Sequence, residues 1–191
     1  MKKTNQLKKI RKAVEKVQDA KRFEHTLGVE YTAAALAMRY DSDINDARIA
    51  GLLHDCAKCQ SDEKQLSICH KNHIKVTEVE RKNPFLLHAK VGAYLAREKY
   101  GIKEPDILNA IQNHTTGRKN MSLLEKIIFV ADYIEPGRKN APNLAEIRKT
   151  AFVDIDQALL QILKDTLDYL KSSGGEIDPM TEQTWRYYSR H

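Results

Sequence analysis

Gly51-Leu52-Leu53-His54-Asp55-Cys56-Ala57-Lys58 sets a histidine and an aspartate side by side at the end of an apolar run. A neutral imidazole and a carboxylate held out of water beside Leu52 and Leu53 need something that pairs with their polarity, and a bound cation would do so. The run itself is helical in pattern: Ala47, Ile49, Ala50, Leu52 and Leu53 follow the turn Asp41-Ser42-Asp43, and Asp43 or Asn45 is placed to cap the helix.

Outward from this stretch the chain reads as a succession of helices. Leu7, Ile10, Val14 and Val17 recur at helical spacing between basic residues from Asn5 to Asp19, and His25, Val29, Thr32 or Ala33, and Leu36 do so from Lys21 to Tyr40. Ser61-Asp62-Glu63 starts a short helix ending near Asn72, and Ile74 to Lys82, polar and weakly patterned, is expected to be a loop. Asn83-Pro84 opens a helix through Leu87, His88, Val91 and Leu95 to a stop at Gly101. Glu104-Pro105-Asp106 begins one that carries Ile107, Ile111 and His114 and ends at Thr115-Thr116-Gly117. Ser122 caps a segment that is apolar nearly all round, Leu123 to Asp132, and such a helix belongs at the centre. Pro142 to Ala151 and Asp154 to Leu170 give two more helices, and Trp185, Tyr187 and Tyr188 a last aromatic turn within Thr181 to His191. No segment alternates with period two, so the expected fold is all-α.

The 191 residues suit one domain, 1–191, with a motif-bearing core of about 20–140 and C-terminal helices 141–191 packed on it. Hydrophobic content of 41% with 30% charged residues is ordinary globular composition. The basic N-terminus lacks a following apolar run that could serve as a signal core, and no stretch is long enough to span a membrane, so a cytoplasmic protein is expected. Three cysteines, an odd number, argue against a disulfide framework. A net charge of +6 favours an anionic ligand, and a phosphate-bearing small molecule meets it with fewer residues than nucleic acid, which is not expected as a partner. Apolar positions left over between Leu159 and Leu170, with the aromatic tail, allow a homodimer.

His25, His54 with Asp55, His88, His114 and Asp132 each lie near an apolar stripe on different helices. Taken singly, a histidine on such a face is most simply a hydrogen-bonded core residue. Asp132 weighs against that, because a carboxylate directly after Ile127 to Ala131 is rarely buried without a cation or several donors. Helical neighbours diverge by about 100°, so His54 and Asp55 suit two ions better than one. Asp55 then bridges, His25 and His54 hold one ion with Asp132, and His88 and His114 hold the other. Mixed imidazole and carboxylate ligands suit Fe, Mn, Co, Ni or Zn. Cys56, Cys59, Cys69 and His73 offer a competing structural zinc site.

Leu53-His54-Asp55-Cys56-Ala57-Lys58, Leu87-His88-Ala89, Asn113-His114-Thr115-Thr116-Gly117 and Ala131-Asp132-Tyr133-Ile134-Glu135-Pro136-Gly137-Arg138 resemble segments of the HD superfamily of metal-dependent phosphohydrolases. Within it they are most similar to the bacterial YqeK family of symmetrical diadenosine tetraphosphate (Ap4A) hydrolases. The resemblance runs from His25 to Arg138 and implies an HD-domain helical bundle with a binuclear centre in its core. It also implies iron as the favoured metal, with divalent or mixed-valence ions, and cleavage of Ap4A into two ADP. The chemistry is intelligible: two cations about 3.5–4 Å apart activate a water as hydroxide and neutralise the developing oxyanion.

Asp55 and Lys58 are the expected catalytic residues. Lys58, four residues after His54, would return to its helical face and meet a phosphate. Thr115, Thr116 and Gly117 offer hydroxyls and backbone N–H groups, and Arg138, with Arg118 as a weaker candidate, could clamp outer phosphates. Each of these has a plain alternative as a solvent-facing side chain or helix stop, and Glu135 is read as capping or pairing locally. Two other functions stay open: an HD phosphohydrolase for another nucleotide or a cyclic dinucleotide, and a nucleotide-sensing module with structural metals.

Overall fold

Side-chain caps and chain breakers divide the molecule into helices, and among the described residues every regular element is helical. The computed structural model describes residues 2–190, with side chains from residue 5 onward; Met1 and His191 lie outside the described residues. The helices are α1 (Lys2–Glu15), α2 (Ala20–Arg39), α3 (Ile44–Leu53), α4 (Asp62–Lys71), α5 (Glu78–Lys82), α6 (His88–Glu98), α7 (Pro105–Asn113), α8 (Leu123–Ile134), α9 (Leu144–Thr150), α10 (Ile155–Ser172) and α11 (Pro179–Tyr188). A 3-10 turn, Pro84–Leu87, precedes α6. Asp19, Asp43, Ser61 and Ser122 accept from backbone amides at the starts of α2, α3, α4 and α8. Each such cap is worth about 0.5–2 kcal/mol relative to alanine.

α8 is the central element. Ile127, Ile128, Val130 and Ala131 have no solvent exposure, and burying a side chain of isoleucine size contributes about 1.5–3 kcal/mol. α2, α7 and α10 pack around it, and α3 lies against α2 and α7. The α2–α3 contact is close because residue 51 is glycine: a Cβ there would stand 2.9 Å from Glu30 Cα. Glu30 itself is fully buried, and its carboxylate accepts from Arg11 of α1 and Arg48 of α3, each at 2.8 Å, which ties three helices together at one charge.

Several expectations are corrected. α1 stops at Glu15, and Val17 is 41% exposed rather than part of an apolar stripe. The expected loop Ile74 to Lys82 contains α5, started by a capping box in which Thr77 and Glu80 satisfy each other's backbone amides. The helix expected from Pro84 begins as a 3-10 turn, so that α6 starts at His88 itself. Residues 61–83 have a visible packing role: Cys69, with Leu66 and Ile68 of α4, joins Ala57, Leu87 and Val91 in a small second core beneath the 3-10 turn. Most of the apolar positions expected to be left over between Leu159 and Leu170 are covered by the chain itself, while Tyr169 stays exposed. Leu159, Ile162, Leu163 and Leu167 are buried as α10 packs on α8, α9 and α11, and Trp185 and Tyr188 lie against the main core. No helix among the described residues is long and apolar enough to cross a membrane.

Gly51→Ala must push α3 off the α2 backbone, and overpacking of this kind costs about 1–3 kcal/mol; urea denaturation should show the unfolding free energy fall by that amount through a lower midpoint, with the slope unchanged. Cys56 and Cys69 are buried, and burial pushes the Cys56 thiol up to about 12, whereas Cys59 is exposed. Thiol titration of the native protein should therefore register one fast-reacting cysteine, and all three only after denaturation.

Candidate metal centre

α3 ends at Leu53, and His54 and Asp55 lie in the turns that follow. The divergence expected of neighbours within a helix does not apply there, and His54 Nε2 and Asp55 Oδ2 are only 3.5 Å apart. A repeated local device aims the imidazoles. His54 Nδ1 lies 2.7 Å from Gly51 O, His88 Nδ1 2.7 Å from Phe85 O, and His114 Nδ1 2.7 Å from Ile111 O. All three histidines stand at helix boundaries, and each ring turns back to the carbonyl three residues earlier; at His54 and His114 that carbonyl belongs to the last turn of the helix just ended, where it lacks its usual helical partner. A carbonyl only accepts, so in the neutral ring Nδ1 carries the hydrogen and Nε2 presents a lone pair. His25, on α2, is held by a side chain instead: its Nδ1 lies 3.1 Å from Glu135 Oε1.

The Nε2 atoms converge. His54 Nε2 is 3.3 Å from His25 Nε2, and His88 Nε2 is 3.2 Å from His114 Nε2. Asp55 divides its oxygens between the pairs: Oδ2 is 3.5 Å from His54 and 3.9 Å from His25, while Oδ1 is 3.3 Å from His88 and 3.6 Å from His114. Asp132 Oδ1 lies 3.1 Å from His25 Nε2 and 4.0 Å from His54 Nε2. Acceptors therefore outnumber donors, and the buried Asp55 Oδ1 has no hydrogen-bond partner. Ligand atoms about 2.0–2.2 Å from a divalent ion stand about 3–3.5 Å apart, so the observed spacings suit metal ligation. Three groups of ligand atoms could each hold a cation: His25, His54 and Asp55; His54, His114 and Asp132; Asp55, His88 and His114.

The same crowding sets the protonation states. Burial pulls His54 down to about 4, and burial with the neighbouring His114 and Lys58 pulls His88 down to about 3, leaving both as neutral ligands. Burial also opposes the charged forms of His25 and His114, but Asp132 and Glu135 outweigh it at His25, and Asp55 does so at His114. Both are raised. Against burial, the imidazoles of His54, His114 and His88 crowded around it hold Asp55 well below the usual carboxylate range, and Asp132 is lowered likewise through His25.

Cations surround this cluster. Lys58 Nζ lies 3.3 Å from His88 Nδ1, over the Phe85 ring, and burial lowers its pKa. It arrives there through the turns after α3 and not on a helical face shared with His54. Arg138 donates to Asp132 Oδ1 and Arg22 to Asp55 Oδ2, each at 2.8 Å. Thr115 Oγ1 sits 3.4 Å from His88 Nε2 and 3.3 Å from His114 Nε2, and Thr116 lines a cavity of about 140 Å³ beside them. Gly117 is engaged elsewhere: its N–H donates to Asn113 O at 2.8 Å, and its Cα faces Thr184 of α11, so no backbone donor is left for phosphate. Arg118 is bound to the buried Glu125 at 2.6 Å and is likewise withdrawn. Cys59 and His73 are exposed and Cys56 is buried apart from them, and among the described residues no cysteine joins a group that could hold a metal ion.

Arg22 and Glu135 carry roles the sequence reading missed. Arg22 stands one turn before His25 on the same helical face, a spacing that could have marked it. Glu135 is buried, orients His25, and overlies Gly28, where a Cβ would come 2.5 Å from its carboxylate oxygen. Beyond His25, Arg22 and Arg138 the surface opens into a cleft of about 920 Å³.

Comparison with known proteins agrees with this geometry. A model of the HD domain matches residues 22–137. The chain is 42% identical over 166 residues to the symmetrical bis(5'-nucleosyl)-tetraphosphatase of Bacillus subtilis, covering 87% of this chain and 88% of the relative. It is 35% identical over 181 residues to the protein of the same name from Staphylococcus aureus, covering 94% and 92%. A crystal structure of a Clostridium acetobutylicum protein, described as a predicted HD superfamily hydrolase involved in NAD metabolism, superposes with a TM-score of 0.92 at 43% identity, over 96% of this chain and 97% of that one. The matched span, the relatives and the shared fold together show that the chain belongs to the HD-domain family, in the branch of the symmetrical bis(5'-nucleosyl)-tetraphosphatases.

Proposed function

We propose that this protein is a metal-dependent hydrolase that cleaves Ap4A symmetrically into two ADP. The observation that carries the reading is the division of Asp55: its two oxygens face two separate histidine pairs, as a carboxylate bridging two ions would. The names of its relatives point to the same reaction. In this reading His25, His54, Asp55 and Asp132 hold one ion and Asp55, His88 and His114 the other, with iron favoured and Mn, Co or Ni able to substitute. Bound there, the ions would supply Lewis acidity and a water of lowered pKa.

The chain's own groups do the rest. Lys58, half-buried against His88, neutralises the phosphoryl oxygens at the scissile bond. Arg22 and Arg138 present guanidinium edges at the open side of the centre, where they orient the polyphosphate in bidentate fashion. The Thr115 hydroxyl and the Thr116 side chain contact the phosphate chain at the opposite end. Diphosphate is a stable leaving group, so no dedicated general acid is required. Glu135 keeps the His25 ring oriented by accepting from Nδ1, and an anionic partner there raises the basicity of Nε2.

Purified protein loaded with manganese or iron should convert Ap4A to ADP as the dominant product, resolved by ion-exchange chromatography; ATP plus AMP in equal amounts would refute symmetrical cleavage. Glu135→Ala should weaken manganese affinity about 10–100-fold, measured by competition with a chelating dye. Gly28→Ala, which must displace the same carboxylate, should shift affinity in the same direction.

A further inference from the structure

Cleavage at the middle of a symmetrical dinucleotide needs room for a nucleotide on each side of the scissile bond. The cleft beyond His25 has that room. Its volume of about 920 Å³ lies within the range of about 300–1,000 Å³ typical of small-molecule sites. It begins at Arg22 and Arg138, which touch the centre's carboxylates, and continues past Lys139 to the side of α10. On that side stands Tyr169. The residue is 62% exposed, although neighbouring Leu163 and Leu167 of the same helix are buried. Among the described residues no hydrogen bond or ring contact engages its side chain. The cleft carries Lys21, Arg22, Arg138 and Lys139 beside Asp19, Glu24 and Glu135, and a large aromatic held out of the core at the far end of such arginines is an arrangement by which proteins stack a base while gripping its phosphates.

We propose that this cleft receives one nucleoside diphosphate half of the substrate, with its base stacked on Tyr169 and its phosphates on Arg22 and Arg138. The inference rests on the proposed function and adds to it the residue that recognises the base. Stacking requires an aromatic face and no hydroxyl, so phenylalanine and tryptophan substitute for tyrosine and alanine does not. Because Tyr169 makes no contact with the centre, its loss leaves the metal ligands in place.

The test is steady-state hydrolysis of Ap4A by the full chain, manganese-loaded, for the parent protein and for Tyr169→Ala, Tyr169→Phe and Tyr169→Trp. KM should rise about tenfold or more in the alanine variant and stay within about twofold of the parent in the aromatic ones, in line with the measured strength of base–aromatic stacking. Inhibition by ADP should weaken in Tyr169→Ala, whereas inhibition by inorganic tripolyphosphate, which has no base, should not. An unchanged KM in Tyr169→Ala overturns the inference, and so does equal weakening of both inhibitors, which would mark a general disturbance of the cleft. A parent protein that makes no ADP from Ap4A overturns the proposed function and this inference with it; a parent that turns over normally beside an unaffected alanine variant overturns this inference alone.

Discussion

The hydrogen bond from a histidine Nδ1 to the carbonyl three residues before it is the interaction on which the centre depends. It occurs at His54, His88 and His114, at 2.7 Å each time. At His54 and His114 it converts a carbonyl of the last helical turn into an orienting contact, and at all three histidines it turns Nε2 inward. The placement of helix boundaries therefore decides the chemistry. α3 and α7 stop, and α6 starts, where a histidine ring bends back to the carbonyl three residues before it. The centre is thus assembled from the junctions between helices, and the helices themselves serve to hold those junctions at fixed separation.

That separation is secured by two different means. Around α8 it is apolar packing, with isoleucine and valine side chains excluded from solvent on nearly every face. Between α1, α2 and α3 it is the buried Glu30 carboxylate shared by two arginines, beside a glycine that lets the backbones approach. A buried charge with partners on two other helices fixes their register, because sliding either helix would leave the carboxylate unpaired. His25 and His54, which lie on α2 and just after α3, inherit their spacing from this contact.

Much of this was legible before the structure. The caps at Asp43, Ser61 and Ser122 mark real helix starts, and the all-round apolar pattern after Ser122 marks the central helix. The side chains named as ligands come together because each stood at the inner edge of an apolar stripe or just past its end. What was not legible depended on local geometry or on distant partners. The expectation that His54 and Asp55 diverge assumed a helix that in fact ends one residue earlier. α5 was missed because its capping box is followed by no apolar run. Arg22 and Glu135 look like surface charges until the fold sets Asp55 and His25 against them, and Gly28 looks like a helix weakness until Glu135 is seen to lie over it.

The carbonyl anchors have a further consequence. Three of the four imidazoles at the centre are aimed by the backbone, and the hydrophobic core closes around α8 without their help. Small zinc domains, by contrast, have no fold without their ion. Here the coordination sphere is a socket cut into an already finished scaffold.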